Sequence, residues 1–386
     1  GNFCNIQYFT LADEMLKSEK LKWFADKKIQ NIDFERITPS IKNNWINVAD
    51  NDFENLLTLA DKQVKLGKSK ESVFKLFSLG VATNRDEWVY DFDKENLIAK
   101  TKFFCNEYNK LKSNNDYQNT KLKWTSELIS KMKKNIGLKH DEAKIRNNIY
   151  RPFCKKKIYF SKTIIHRFYQ NQQLWGYPKT EKNLCIIVSG KNIVDWTALA
   201  SNSIVDLNYL YGGSQCLPFY TYDENGNRHE NITDWGLLQF TQHYKDVSIT
   251  KLDIFHYTYG VLHHPQYRAK YELNLKREFP RLPFYKDFRK WASWGKALMS
   301  LHIEYETAEL YPLQQIDKEL KKGTLIVPKL RAKKEEGIII LDSKTELHEV
   351  PPQAWTYKLG NRSALEWILD QYKDCLLYTS DAADDW

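Results

Sequence analysis

The sequence predicts an α+β fold, a β-rich module combined with helical support. Three observations carry the prediction. Apolar and aromatic runs of strand length recur through residues 73–92 and 150–209, bounded by Gly, Asn, Asp and Ser. Segments with apolar residues at helical spacing occupy 94–111, 252–262 and 288–305. The chain also changes character along its length, turning β-rich from about residue 150 and helical again from about residue 234.

Bulk properties narrow the classes. A length of 386 residues is enough for two or three domains with sizeable cores. No apolar run approaches a membrane span, and the start, GNFCNIQYF, has neither the basic flank nor the apolar core of a signal peptide. Six cysteines are scattered without a C-x-x-C pair, which points to reduced thiols in a cytoplasmic protein and against a zinc site or disulfide scaffold. A formal charge of +9 together with 14% aromatics fits a nucleic-acid partner, although net charge also serves solubility.

Residues 5–9 read as a short strand and 11–24 as a helix, and the break at Pro39 precedes a second helix over 53–66. Gly67-Lys68-Ser69 imitates the end of a phosphate-binding loop. The pattern requires Gly five residues earlier, where Lys62 stands, and a strand before it, where a helix is predicted, so no P-loop is assigned.

The stretch 73–92 organises the chain. Residues 73–81 read as a buried strand, and Trp88 to Phe92 suit a second. The turn between them carries Thr83, Asn84, Arg85, Asp86 and Glu87. Asn and Arg can each place two hydrogen bonds on a base edge, and Arg also suits phosphate, so Asn84 and Arg85 are candidate contacts. The alternative is a hairpin whose Arg85 and Asp86 only pair or cap a helix.

Residues 94–111 form a helix with Leu97, Ile98, Phe104, Cys105 and Tyr108 on one side, then a polar loop over 112–119. Residues 122–136 read as a basic helix whose lysines form a solvated face or meet phosphate. A short helix at 141–145 leads into YRPFCKKKIYF (150–160), which sets Arg151 and Lys155–Lys157 among strand-forming aromatics. HRFYQN follows (166–171), then strands at 184–188, 197–201 and 204–209. The YGGSQ run, 211–215, is either a tight turn or a place where backbone approaches a ligand.

Residues 223–229 are a hairpin loop, and Asn231 to Asp234 give an N-cap signal for a helix over 235–244. Helices at 252–262, 266–278 and 288–305 form a supporting bundle, with Pro280 and Pro283 ending the second. His263 and His264 are adjacent, and neighbouring histidines rarely converge on one ion. Strands at 323–326 and 337–341 flank a basic loop at 329–334, and residues 363–372 form a final helix. VPPQ (350–353) lacks the Asn and Tyr of an Asn-Pro-Pro-Tyr methyltransferase loop and reads as a connector.

Several of these stretches, in order, resemble one family. GVATNRDEWVYDF (80–92) is similar to the opening of the C-terminal specificity region of type ISP restriction–modification enzymes. YRPF (150–153) with IYF (158–160), SQCLPFY (214–220) and YTYGVLHHPQYR (257–268) point the same way. So do LKREFPRLPF (275–284) and LHIEY (301–305), and the similarity runs from about Phe3 to about Asp374.

The resemblance implies one polypeptide joining nuclease, helicase-like translocase, adenine-N6 DNA methyltransferase and target-recognition domains. On that reading residues 1–12 end an α/β methyltransferase domain, and 13–148 form a helical connector and the first part of the specificity region. Residues 149–374 are the β-rich DNA-recognition module. The last twelve residues, 375–386, resemble translated sequencing adapter; their three Asp leave the remainder at a formal +12. The chain then reads as an internal fragment that binds double-stranded DNA and presents an adenine to the upstream methyltransferase domain. S-adenosylmethionine, ATP and Mg would serve the parent enzyme outside this chain, which has no catalytic motif of its own.

The residues predicted to meet DNA are Asn84, Arg85, Arg151, Lys155, Lys156, Arg167, Gln170 and Gln215. A rival reading is a non-enzymatic basic module for nucleic acid or an acidic protein. A hydrolase using Asp86 or His263 has no matched acid–base pair behind it.

Overall fold

The structure is a computed structural model that describes residues 4–12, 15–39, 45, 51–114, 116, 121–177, 183–190, 196–321 and 323–381, with side chains through 373. It divides into two units, Gly1–Asp52 and Phe53–Trp386. In the first, the strand Ile6–Tyr8 pairs antiparallel with Glu35–Ile37, and the helix Lys17–Asp26 buries none of its side chains. Trp23 stacks on Phe9 with ring centroids 5.0 Å apart.

The second unit holds three four-stranded sheets among its described residues, two of which flank its two hydrophobic cores. The first sheet runs in the order Ile204–Val205, Ile145–Arg151, Cys154–Tyr159, Tyr90–Asp91. The second runs Ser78–Leu79, Gln215–Pro218, Cys185–Val188, Ala198–Ser201. In the strand Cys185–Val188, Cys185 and Ile187 enter one core while Ile186 and Val188 enter the other. Leu199 and Ala198 divide the same way, as do Cys216 and Leu217. A period-two backbone covered on both faces needs apolar residues at every position, which is why this segment reads CIIV.

Helices close each core. Lys94–Ser113 is capped by Asp93, which accepts from Asn96 N at 2.8 Å, and buries Leu97, Phe104, Tyr108 and Leu111 at helical spacing. Thr233 caps Asp234–Tyr244, and a Thr250–Asp253 capping box starts Lys251–Leu262. That helix lies against Phe288–Ile303. The two backbones meet at Gly295, where a Cβ would overlap the His256 carbonyl oxygen, so no other residue fits.

Several expectations are corrected. Residues 73–92 are not a hairpin. Ser78–Leu79 pairs with Gln215–Pro218, whereas Tyr90–Asp91 pairs with Cys154–Tyr159 in the other sheet. Between them the helical turn Asp86–Val89, with Asp86 and Glu87 at its positive N-terminus, redirects the chain. The helix expected at 53–66 is broken: Leu57–Thr58 pairs with Arg281–Leu282, and Asp61 caps only the turn Lys62–Lys65. The basic loop at 329–334 lies mostly within the strand Pro328–Lys333, in a third sheet ordered Gln314–Asp317, Thr345–His348, Ile338–Asp342, Pro328–Lys333. Its charges conceal an alternation in which only Leu330 is buried. Of the polar loop expected at 112–119, residues 112 and 113 end the helix Lys94–Ser113, and 115 and 117–119 lie outside the described residues. No described helix is long and apolar enough to cross a membrane.

Candidate nucleic-acid interface

The hairpin Ile145–Arg151/Cys154–Tyr159 sets Asn148 opposite Lys156 and Asn147 opposite Lys157. It forms one wall of a groove of about 750 Å³. Among the described residues, five cations line this groove, Lys94, Arg146, Lys155, Lys156 and Lys157, against one carboxylate, Glu306. Asn147, Asn183, Asn202 and Ser203 supply neutral hydrogen-bonding groups, and Phe92 and Trp175 supply aromatic surface.

The fold aims these cations. Lys156 Nζ lies 4.6 Å from the Phe92 ring centroid and 4.3 Å from that of Tyr150. Lys157 Nζ donates to Asn147 Oδ1 at 2.8 Å. Lys155 Nζ donates to Glu306 Oε2 at 2.7 Å and sits 4.6 Å from the Tyr305 ring centroid. Arg146 donates to the carbonyls of Trp175 (2.7 Å) and Gly176 (3.1 Å), and burial lowers its pKa. A concave wall with this excess of positive charge attracts a phosphodiester backbone, and aromatic packing limits the entropy its lysines lose on binding.

The eight residues expected from sequence do not form one surface. Lys155 and Lys156 belong to the groove. Asn84 and Arg167 are exposed, on segments joined where Ala82 and Arg167 exchange backbone hydrogen bonds of 3.2 and 2.9 Å. Gln170 follows on the same segment, half-buried. Gln215 is also half-buried, in a sheet, at the wall of a cavity of about 30 Å³ shared with Trp196 and Glu278.

Two of the eight are corrected. Arg85 is 1% exposed. It donates to Ile164 O and Thr125 Oγ1, both at 2.6 Å, and lies over the Phe104 ring. Burial lowers its pKa to about 10, against the opposing pull of Glu87 and Glu127, so it stays charged and ties the turn to the core. Arg151 Nη1 donates to the buried Asp206 at 2.6 Å, and its guanidinium lies 3.9 Å from the Tyr150 ring centroid. Both Nη groups of Arg85 and Nη1 of Arg151 therefore donate within the protein.

The hydrolase reading loses its residues too. Tyr150 OH donates to Asp86 Oδ2 at 2.8 Å, and Thr83 Oγ1 binds the other oxygen. His263 is held between the carbonyls of Tyr259 (2.8 Å) and Ala198 (3.0 Å), and burial lowers its pKa to about 3. His264 turns instead to Tyr285 OH at 3.3 Å. Among the described residues no three His, Cys, Asp or Glu side chains gather where they could hold a metal ion.

Sequence reasoning missed Lys94, Arg146 and Lys157 as groove residues. Lys157 stands in the same KKK run as the two that were chosen, and Lys94 opens the helix that borders the groove.

The arrangement is a basic groove on an α+β core. The chain belongs to the family of Type ISP C-terminal specificity domains, whose model matches residues 72–386. Three solved structures share its fold. The cryo-EM structure of a DrdV–DNA complex matches 95% of this chain at 39% identity with a TM-score of 0.84. A nuclease-deletion mutant of the Type ISP restriction-modification enzyme LlaGI, in complex with a DNA substrate mimic, matches 95% at 28% identity and TM-score 0.78. The ATP-dependent Type ISP restriction-modification enzyme LlaBIII, bound to DNA, matches 88% at 28% identity and TM-score 0.75. The chain spans 38%, 34% and 22% of those three chains. Among curated protein sequences none matches.

Proposed function

We propose that this chain is the target-recognising part of a cytoplasmic single-polypeptide restriction–modification enzyme. It binds duplex DNA at a short asymmetric site and holds it while one adenine is turned out of the stack for N6-methylation by an upstream domain. The groove, lined among the described residues by five cations and one carboxylate, on a chain of this family, carries the reading. Its lysines take phosphates, which position the duplex, and the Asn84 amide and Arg167 guanidinium, both exposed, have the chemistry to read base edges. S-adenosylmethionine, ATP and Mg serve other parts of the parent polypeptide.

The test is selection of duplexes from a randomised library at near-physiological salt, followed by sequencing. Enrichment of one short asymmetric motif containing adenine is the expected result, since a specific site binds far more tightly than random DNA. Salt-sensitive binding with no enriched motif would leave only a basic interaction module and overturn the sequence-reading role.

A further inference from the structure

The segment 166–171 is anchored on both sides of one residue. Arg167 is bound through its backbone to Ala82, at 2.9 and 3.2 Å. Gln170 N donates to Ser78 Oγ at 3.3 Å, and Asn171 Nδ2 donates to the carbonyls of Leu79 (2.9 Å) and Phe168 (3.0 Å). Phe168 is buried against Phe160, with ring centroids 4.5 Å apart.

Between these anchors Tyr169 has φ +47° and is 41% exposed. A left-handed backbone is unfavourable for a bulky L residue, and such strain persists only where the surroundings enforce it. Among the described residues its ring stacks on no other aromatic ring, and its hydroxyl makes no hydrogen bond. On one side of it is Arg167, exposed and unpaired among the described residues. Across the backbone pairing, two residues beyond Ala82, is Asn84, also exposed and also left-handed at φ +53°. An exposed aromatic ring two residues along the chain from an exposed guanidinium, with an exposed amide on the segment paired to it, is suited to a flat, polar-edged ligand.

We propose that Tyr169 stacks on a nucleobase of the bound duplex, with Arg167 beside it. The proposal rests on the duplex-binding reading above and adds to it a residue that contacts a base through its face. Extrusion of an adenine leaves a base step open to such a ring.

The experiment uses the 386-residue chain with Tyr169→Gly and Tyr169→Phe, titrated against the library-selected duplex and a random-sequence duplex. Glycine relaxes the left-handed backbone, so Tyr169→Gly keeps or raises the melting temperature while deleting the ring. The expected result is roughly a tenfold or larger loss of affinity for the selected duplex in Tyr169→Gly. The random duplex should be little affected, and Tyr169→Phe should bind like wild type. Equal binding by wild type and Tyr169→Gly would overturn the stacking role alone. So would a loss in Tyr169→Phe as large as in Tyr169→Gly, or a parallel fall in melting temperature. A wild-type chain that binds neither duplex would instead remove the duplex reading, and this proposal with it.

Discussion

Arg151 and Asp206 form an ion pair inside the protein, with Nη1 2.6 Å from Oδ1 and the aspartate only 2% exposed. Tyr90 OH donates to the other carboxylate oxygen at 2.8 Å, and Asn208 N donates to Oδ1 at 2.8 Å. One buried carboxylate therefore joins the strand Tyr90–Asp91, the hairpin strand Ile145–Arg151 and the turn after Ile204–Val205. Removing the arginine strands that charge. Arg151→Met is expected to cost about 3 kcal/mol or more, measured by urea denaturation at pH 7.

The same carboxyl predicts a pH dependence. Burial raises Asp206 to about 6, Arg151 opposes the rise, and Asp86 adds to it. The native state then holds a proton more tightly than the unfolded chain, whose carboxyl titrates near 3.8. The contribution to stability is complete below that value and is lost as pH rises to about 6, by about 3 kcal/mol. Asp206→Asn should remove this component. Denaturation midpoints of both proteins at pH 4 and pH 7 test it: an unchanged difference between wild type and variant would refute the assignment.

His302 should act in the opposite direction. It lies between Tyr259 OH at Nδ1 and Tyr357 OH 3.0 Å from Nε2, and burial, helped by Arg268, lowers its pKa to about 4. Its contribution is present above the ordinary histidine value of 6.5 and is lost as pH falls towards 4. His302→Gln keeps a donor and an acceptor, so its stability should fall less than that of wild type between pH 6.5 and 4.

Arg85 gives a clean separation of fold from binding. Arg85→Ala removes both hydrogen bonds and the packing over Phe104, an expected loss of about 3 kcal/mol. The fraction still folded should bind duplex as wild type does, which calorimetry and stoichiometric titration with duplex resolve.

The groove predicts a salt signature. Lys94→Ala and Lys157→Ala should each reduce the slope of log affinity against log salt by about 1, with little change in melting temperature. Glu306→Gln removes a lining carboxylate and should tighten binding several-fold at low salt. Fluorescence anisotropy across a salt series reads all three.

Much of this protein is local and was legible without coordinates. The helices around Phe104, Phe255 and Met299 follow from apolar periodicity, the Thr233 cap from its hydroxyl before a helical run, and the CIIV strand from its unbroken apolarity. The family resemblance was likewise visible in residues 80–92. These signals lie within a few residues of one another, so the chain carries them whatever its partners do.

Tertiary structure decided the rest. Arg85 and Arg151 look like ligands in sequence because a guanidinium reads the same whether its partner is phosphate, the Ile164 carbonyl or Asp206. Residues 73–92 look like a hairpin because both arms are apolar, yet each arm found a better edge in a different sheet. The groove joins Lys94, Arg146, Lys157 and Glu306 across more than half the chain. Periodicity and capping are set by neighbours along the backbone. The direction a polar side chain faces is set by which distant donor or acceptor offsets its desolvation, and only the folded chain brings that partner into reach.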